Sequence, residues 1–163
     1  MIDRAQLKKR LSYNKSTGLF KYRVDHRKRR KGDVAGVLGS DGYVRVFYGV
    51  KPYAAHRLAW FYVTGKWPKY EIDHKNRNRS DNRWKNLREA TRSQNKANSI
   101  LSVPPQSGYK GVRRENMAGT PWLAYIRKHG KTYRLGLFAT PEMAHAAHIE
   151  AAKRLHGEFA RVR

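Results

Sequence analysis

Four residues in the middle of the chain have the types and spacing for metal-assisted hydrolysis: Asp73 and His74 side by side, then Asn86, then Asn95. Hydrolysing a phosphodiester takes an activated water, stabilisation of the leaving 3′ oxygen, and neutralisation of charge at the phosphate. A divalent cation supplies the last two and a histidine can supply the first. Asp73 is a hard oxygen donor suited to Mg²⁺. His74 titrates near neutrality and can take a proton from water. Asn95 offers a carbonyl oxygen as a second, neutral ligand. Around these residues the 163-residue chain carries 36 Lys+Arg against 12 Asp+Glu, a net charge of +24. A water-activating site inside a polycation points to a polyanionic substrate, and first of all to nucleic acid.

Backbone geometry constrains the set. Neighbours in a strand point to opposite faces, so Asp73 and His74 share a site only at a strand end or with the ion at the strand edge. Asn86-Leu87-Arg88-Glu89 has the form of a capping box, which predicts one helix running from Asn86 past Asn95. On that helix the two asparagines lie on opposite faces at ~100° per residue, so they cannot both hold one ion. Asn86 is therefore read as a structural residue, a helix cap and a clamp on the 75–85 loop. Asn95, on the face shared with Arg88, Thr91 and Arg92, is read as the metal ligand. The bland alternative makes Asp73-His74 a surface pair and Asn95 a solvated residue.

The basic excess runs along the whole chain, which predicts that every part lies along a phosphate backbone. Arg29 and Arg30, within the run Arg27 to Lys31, are expected phosphate contacts on a loop. There is no cysteine, so disulfides and cysteine zinc sites are excluded and any metal is held by oxygen and imidazole. No apolar run approaches the ~20 residues that span a membrane, and the N-terminus lacks a signal peptide's apolar segment. The expectation is a soluble, intracellular protein with no membrane association and no obligate protein partner.

The elements that must position these residues are predicted as follows. Asp3 to Leu11 reads as a short basic helix capped by Asp3. Leu19 to Tyr22 and Gly42 to Tyr48 read as strands, with a return strand beginning over Lys51 to Ala54. His56 to Thr64 reads as a helix ended by Gly65 and Pro68. Ser99 to Ser107, with Pro104-Pro105, is the linker candidate. Beyond it, Tyr109 to Arg114, Trp122 to Lys128 and Thr132 to Phe138 read as three strands. Thr140-Pro141-Glu142 then starts a helix that Gly157 closes.

Two resemblances fit this layout. Residues 1–98 resemble HNH endonucleases of the phage and homing type. The carriers are His56-Arg57-Leu58-Ala59-Trp60, Gly65-Lys66-Trp67-Pro68, Ile72-Asp73-His74, the stretch from Asn76 to Arg83, Asn86-Leu87-Arg88 and Gln94 to Asn98. That resemblance implies a ββα-metal fold with His74 as general base, Asp73 and Asn95 as metal ligands, and Asn86 as the structural asparagine. It places His56 outside the catalytic set, as a packing or loop-supporting histidine. Residues 108–162 resemble the APETALA2/ethylene-response-factor DNA-binding domain. The carriers are Gly108 to Arg113, Trp122 to Arg127, Leu135 to Phe138 and the alanines of the last helix. That family lays a three-stranded sheet in the major groove, with Arg113, Arg114, Trp122, Arg127 and Arg134 at its contact positions. Tyr125 and Leu135 depart from the glutamate and tryptophan of plant members, so the plant target sequence does not carry over.

The combined expectation is an α+β protein: an HNH ββα-metal nuclease module followed by a three-stranded antiparallel sheet packed on one helix. Residues 1–52 are a basic supporting region, 53–100 the catalytic module, 101–107 the linker and 108–163 the DNA-binding domain. The implied function is metal-dependent, site-guided cleavage of double-stranded DNA to 5′-phosphate and 3′-hydroxyl ends, with Mg²⁺ or Mn²⁺ and without zinc. The phage resemblance places it in the cytoplasm of a bacterial host. Arg88 and Arg92, beside the metal site, join Arg29, Arg30 and the sheet residues as expected DNA contacts. The competing reading is a DNA-binding protein whose nuclease site is vestigial; an RNA-binding role is a third.

Overall fold

The computed structural model describes residues 2–25, 28–99, 106–115, 119 and 121–160. The chain divides into two compact units, Met1–Ala90 and Thr91–Arg163.

The first unit opens with helix α1, Arg4–Arg10, whose N-cap Asp3 accepts a hydrogen bond from Gln6 N. Strands β1 (Leu11–Tyr13), β2 (Phe20–Tyr22) and β3 (Val34–Ala35) form one antiparallel sheet in that order. Strands β4 (Val37–Leu38), β5 (Val44–Tyr48) and β6 (Lys51–Ala54) form a second. Helix α2, Ala55–Thr64, follows directly and ends on Gly65 in the left-handed conformation, where glycine carries no Cβ penalty. Strands β7 (Glu71–His74) and β8 (Leu87–Ala90) then pair antiparallel, with Asp73 opposite Arg88 and His74 opposite Leu87.

One core joins these pieces. Leu7, Leu11, Phe20, Val46, Leu58, Phe61, Ile72 and Leu87 are buried in a single cluster that draws on both helices and on strands from all three sheets. Arg4 also donates from Nε to Tyr62 O (3.0 Å) and from Nη2 to Val63 O (2.7 Å), so α1 satisfies carbonyls at the end of α2. The N-terminal half thus packs the hydrophobic interior on which β7 and β8 rest.

The helix expected from Asn86 onward is not formed. Asn86 closes a single 3₁₀ turn over Trp84–Asn86, and the residues after it are strand β8. Leu87 enters the core and Arg88 meets Asp73 across the pair, and these tertiary contacts outweigh a local capping pattern. The capping box lies five residues later: Thr91 Oγ1 accepts from Gln94 N and Gln94 Oε1 accepts from Thr91 N. It starts helix α3, Arg92–Asn98.

In the second unit, α3 is followed by β9 (Val112–Arg114), β10 (Trp122–Lys128) and β11 (Lys131–Phe138), an antiparallel sheet with β10 central. Helix α4, Pro141–His156, is capped by Thr140 and begins on proline, as its sequence predicts. Ala144, Ala151 and Ala152 are buried against Val112, Ala124 and Ile126, so small residues let the helix approach the sheet closely. Residues 100–105 of the expected linker lie outside the described residues. Among the described residues no helix is long and apolar enough to cross a membrane.

Candidate active site

His74 is the last residue of β7, the strand end at which neighbouring side chains can converge. Its side chain is buried, and so is that of Asp73. Asn82 Oδ1 lies 3.3 Å from His74 Nε2. The Asn82 amide donates from Nδ2 to Ser80 O (3.0 Å), which leaves Oδ1 as the group facing the ring. The orientation assigns the proton to Nε2 and the lone pair to Nδ1. Burial lowers the His74 pKa, opposed by the Asn82 hydrogen bond and the Asp73 and Asp81 carboxylates. The ring is therefore neutral at physiological pH, the state a general base needs.

Asn82 is itself held in place. Tyr13 Oη donates to Asn82 O at 2.6 Å, and burial raises the Tyr13 pKa so the phenol keeps that proton. Gly18 approaches so closely that a Cβ there would run into the backbone of Asn82 and Arg83. The β1–β2 hairpin is thus the seat of the residue that orients His74.

Asn86 clamps the connecting loop. Its Oδ1 accepts from Asn76 N (3.0 Å) and its Nδ2 donates to Asp81 O (2.7 Å). Lys75 N donates to Asn86 O at 2.9 Å. Asn76 Nδ2 donates to Asp81 Oδ2 at 2.6 Å. Arg83 and Asn76 hold the Asp81 carboxylate ionised, its pKa lowered to about 2. Asn86 therefore acts on the loop as a strand-side clamp; its expected second role as a helix cap is corrected by β8.

Arg88 is also corrected. Read from sequence as a DNA contact, it is 8% exposed. Its Nε and Nη2 both donate to Asp73 Oδ2 at 2.8 Å. Strand pairing sets the two side chains opposite each other, so the guanidinium turns inward and neutralises the buried carboxylate. Asp73 supplies the hard oxygen chemistry that Mg²⁺ prefers, and Arg88 is the cation with which a metal there would compete. Asn95 lies within α3, in the second unit, as does Arg92, which is exposed.

The sheet of the second unit sorts its expected DNA contacts by face. Arg113 pairs with Leu123, Tyr125 with Arg134 and Arg127 with Thr132. Arg113, Arg127 and Arg134 therefore share one face and are exposed. Arg113 and Arg134 each donate to a separate oxygen of Glu115 at 3.0 Å. Arg113 also lies over the Tyr125 ring, 5.7 Å from its centroid. Arg114 pairs with Trp122 on the opposite, helix-bearing face, with its guanidinium 5.7 Å from the indole centroid. In the first unit Arg29 and Arg30 are exposed, Arg29 lying 5.2 Å from the Tyr22 ring centroid. Arg27 is outside the described residues.

Residues 53–97 match the sequence model of the HNH endonuclease family. The HNH stretch spans His56, Asp73, His74, Asn82, Asn86 and Asn95, and stops short of the C-terminal sheet. A protein of Acanthamoeba polyphaga mimivirus named as an uncharacterized HNH endonuclease is 34% identical over 125 residues, 76% of this chain and 63% of its own length. The chain thus spans less than two thirds of that relative. The solved structure of the HNH homing endonuclease I-HmuI, which concerns DNA binding and cleavage, is similar over 99% of this chain and 91% of that one, with 19% identity and a TM-score of 0.46.

Asn82 and Tyr13 are the site residues that sequence reasoning missed. Asn82 stands among Asn76, Asn78 and Asn86, and nothing local separates a buried orienting asparagine from its loop neighbours. Tyr13 sits 69 residues away from it in sequence.

Proposed function

We propose that this protein is a metal-dependent, site-guided endonuclease that cleaves double-stranded DNA to 5′-phosphate and 3′-hydroxyl ends. The observation that carries the reading is His74: neutral, buried at the end of β7 beside Asp73, and oriented by Asn82 Oδ1. His74 Nδ1 takes the proton from the attacking water. Asp73 and Asn95 are the residues that would hold Mg²⁺ or Mn²⁺, and such an ion would supply charge stabilisation for the leaving 3′ oxygen. Asn86 keeps the 75–86 loop closed so that Asn82 stays on the base. The APETALA2-like sheet guides the enzyme through Arg113, Arg127 and Arg134, whose guanidiniums suit guanine edges. Arg29, Arg30 and Arg92 contact phosphates, and Arg114 and Trp122 support the sheet from its other face.

A second reading, a DNA-binding protein without cleavage, draws on one observation: Arg88 already neutralises Asp73. One experiment separates the two. The protein is incubated with DNA from its source and Mg²⁺, and ends are mapped on both strands. Discrete 5′-phosphate ends that vanish with EDTA and with Asp73→Ala support the nuclease. Binding without ends under every divalent cation supports the second reading.

A further inference from the structure

We propose that His56 is a positioning residue for the general base, its imidazole fixing the ring of His74 in the orientation from which it takes a proton. The inference rests on the reading of His74 as that base. His56 is the second residue of α2 and is 92% buried, its exposure being 8%. Its ring centroid lies 5.1 Å from that of His74, edge to face at 75°. Tyr43 closes the group, 5.1 Å from His56 and 6.0 Å from His74. The His74 ring is therefore bounded by two rings and by Asn82, and this cage leaves it little freedom to tilt.

A second observation separates His56 from ordinary core packing. Its Nδ1 is buried, and no hydrogen-bond partner for it occurs among the described residues. A buried polar atom in that condition lowers stability. A phenylalanine keeps a planar ring there and has no unpaired nitrogen, but its six-membered ring is larger than the imidazole and presses on its neighbours. An unpartnered buried nitrogen at His56 is a cost that core packing alone does not require.

The test uses the full-length protein and a duplex carrying the cleavage site mapped on source DNA, in Mg²⁺, under single-turnover conditions. Wild type, His56→Phe, His56→Asn and His74→Ala are compared for rate, DNA affinity and thermal unfolding. His56→Phe, whose larger ring displaces that of His74, is expected to unfold near the wild-type temperature and to bind DNA equally, yet to cleave about 10- to 100-fold more slowly, the cost of a misplacement on the order of 1 Å. His56→Asn, which removes the ring that bounds His74, is expected to cleave no faster than His56→Phe and to unfold at a lower temperature. Wild-type turnover by His56→Phe, with His74→Ala inactive, overturns this inference alone. Loss of rate matched by loss of stability in both His56 variants also overturns it, because that is mere packing. Continued cleavage by His74→Ala overturns the base assignment itself.

Discussion

Replacing Asn82 by leucine removes the oxygen that faces His74 Nε2 while keeping a side chain of similar size in a site that is 3% exposed. The Tyr13 bond reaches the backbone carbonyl of Asn82 and survives the change. The change also removes the bond from Asn82 Nδ2 to Ser80 O within the loop, so the cleavage rate, rather than stability, reports the contact with the imidazole. A buried donor deprived of a neutral acceptor is worth about 1–3 kcal/mol. If that energy holds the Nε2-protonated tautomer, its loss slows cleavage by about 5- to 150-fold at ~1.4 kcal/mol per decade. Asn82→Asp provides the complementary arm. It keeps an acceptor but adds a negative charge, which raises the His74 pKa. The wild-type His74 pKa is depressed below its ordinary value of 6.5 by burial, so if His74 is the base the rate loss on acidification begins below that pH. In Asn82→Asp the acid limb moves to higher pH. Single-turnover rates between pH 5 and 8 (about the range in which histidine titrates) measure both effects. Wild-type rates and an unshifted acid limb in both variants would refute the assigned orientation of His74.

Other outcomes follow from the same contacts. Asn86→Ala loses two side-chain hydrogen bonds that close the loop and should cost about 2–4 kcal/mol at 1–2 kcal/mol each, read as a lower urea midpoint; an unchanged midpoint would rule out the clamp. Gly18→Ala combines a left-handed φ of +75° with a collision against Asn82, so thermal stability and cleavage should fall together. The folded state holds fewer protons on His56 than the unfolded chain at any pH below 6.5, its folded value being about 3. The His56 contribution to stability is therefore complete above pH 6.5 and declines as pH falls toward about 3, by up to about 1.4 kcal/mol per unit; urea melts should show that slope reduced in His56→Phe. On the sheet, Arg113→Ala, Arg127→Ala or Arg134→Ala should cost ~1–3 kcal/mol on a preferred site and flatten selectivity, whereas Arg29→Ala should weaken all sequences alike and lower the salt slope by about one.

Several features could be read without coordinates because their causes are local. Asp3 and Thr140 cap the helices they were expected to cap, and Gly65 ends α2, since a capping oxygen and a left-handed glycine act within a few residues. The strands of the C-terminal sheet follow from alternation and a tight turn at His129-Gly130. The candidate chemistry of Asp73, His74, Asn86 and Asn95 came from residue type and spacing alone. What failed was whatever depended on partners distant in sequence. Asn86 to Glu89 carries a helix-start pattern, but Leu87 belongs to the core and Arg88 to Asp73, so the backbone runs as a strand. Arg88 counts as one more surface cation until strand pairing sets it opposite a buried carboxylate. Asn82 faces His74 only because Tyr13 and Gly18, on a hairpin some 65 residues earlier, pack against its backbone. His56 touches His74 only because α2 and β7 share one core. Residue types determined which reactions were available to this chain; burial and cross-strand contact, which no local pattern encodes, decided which groups stand beside His74 and which cation stands beside Asp73.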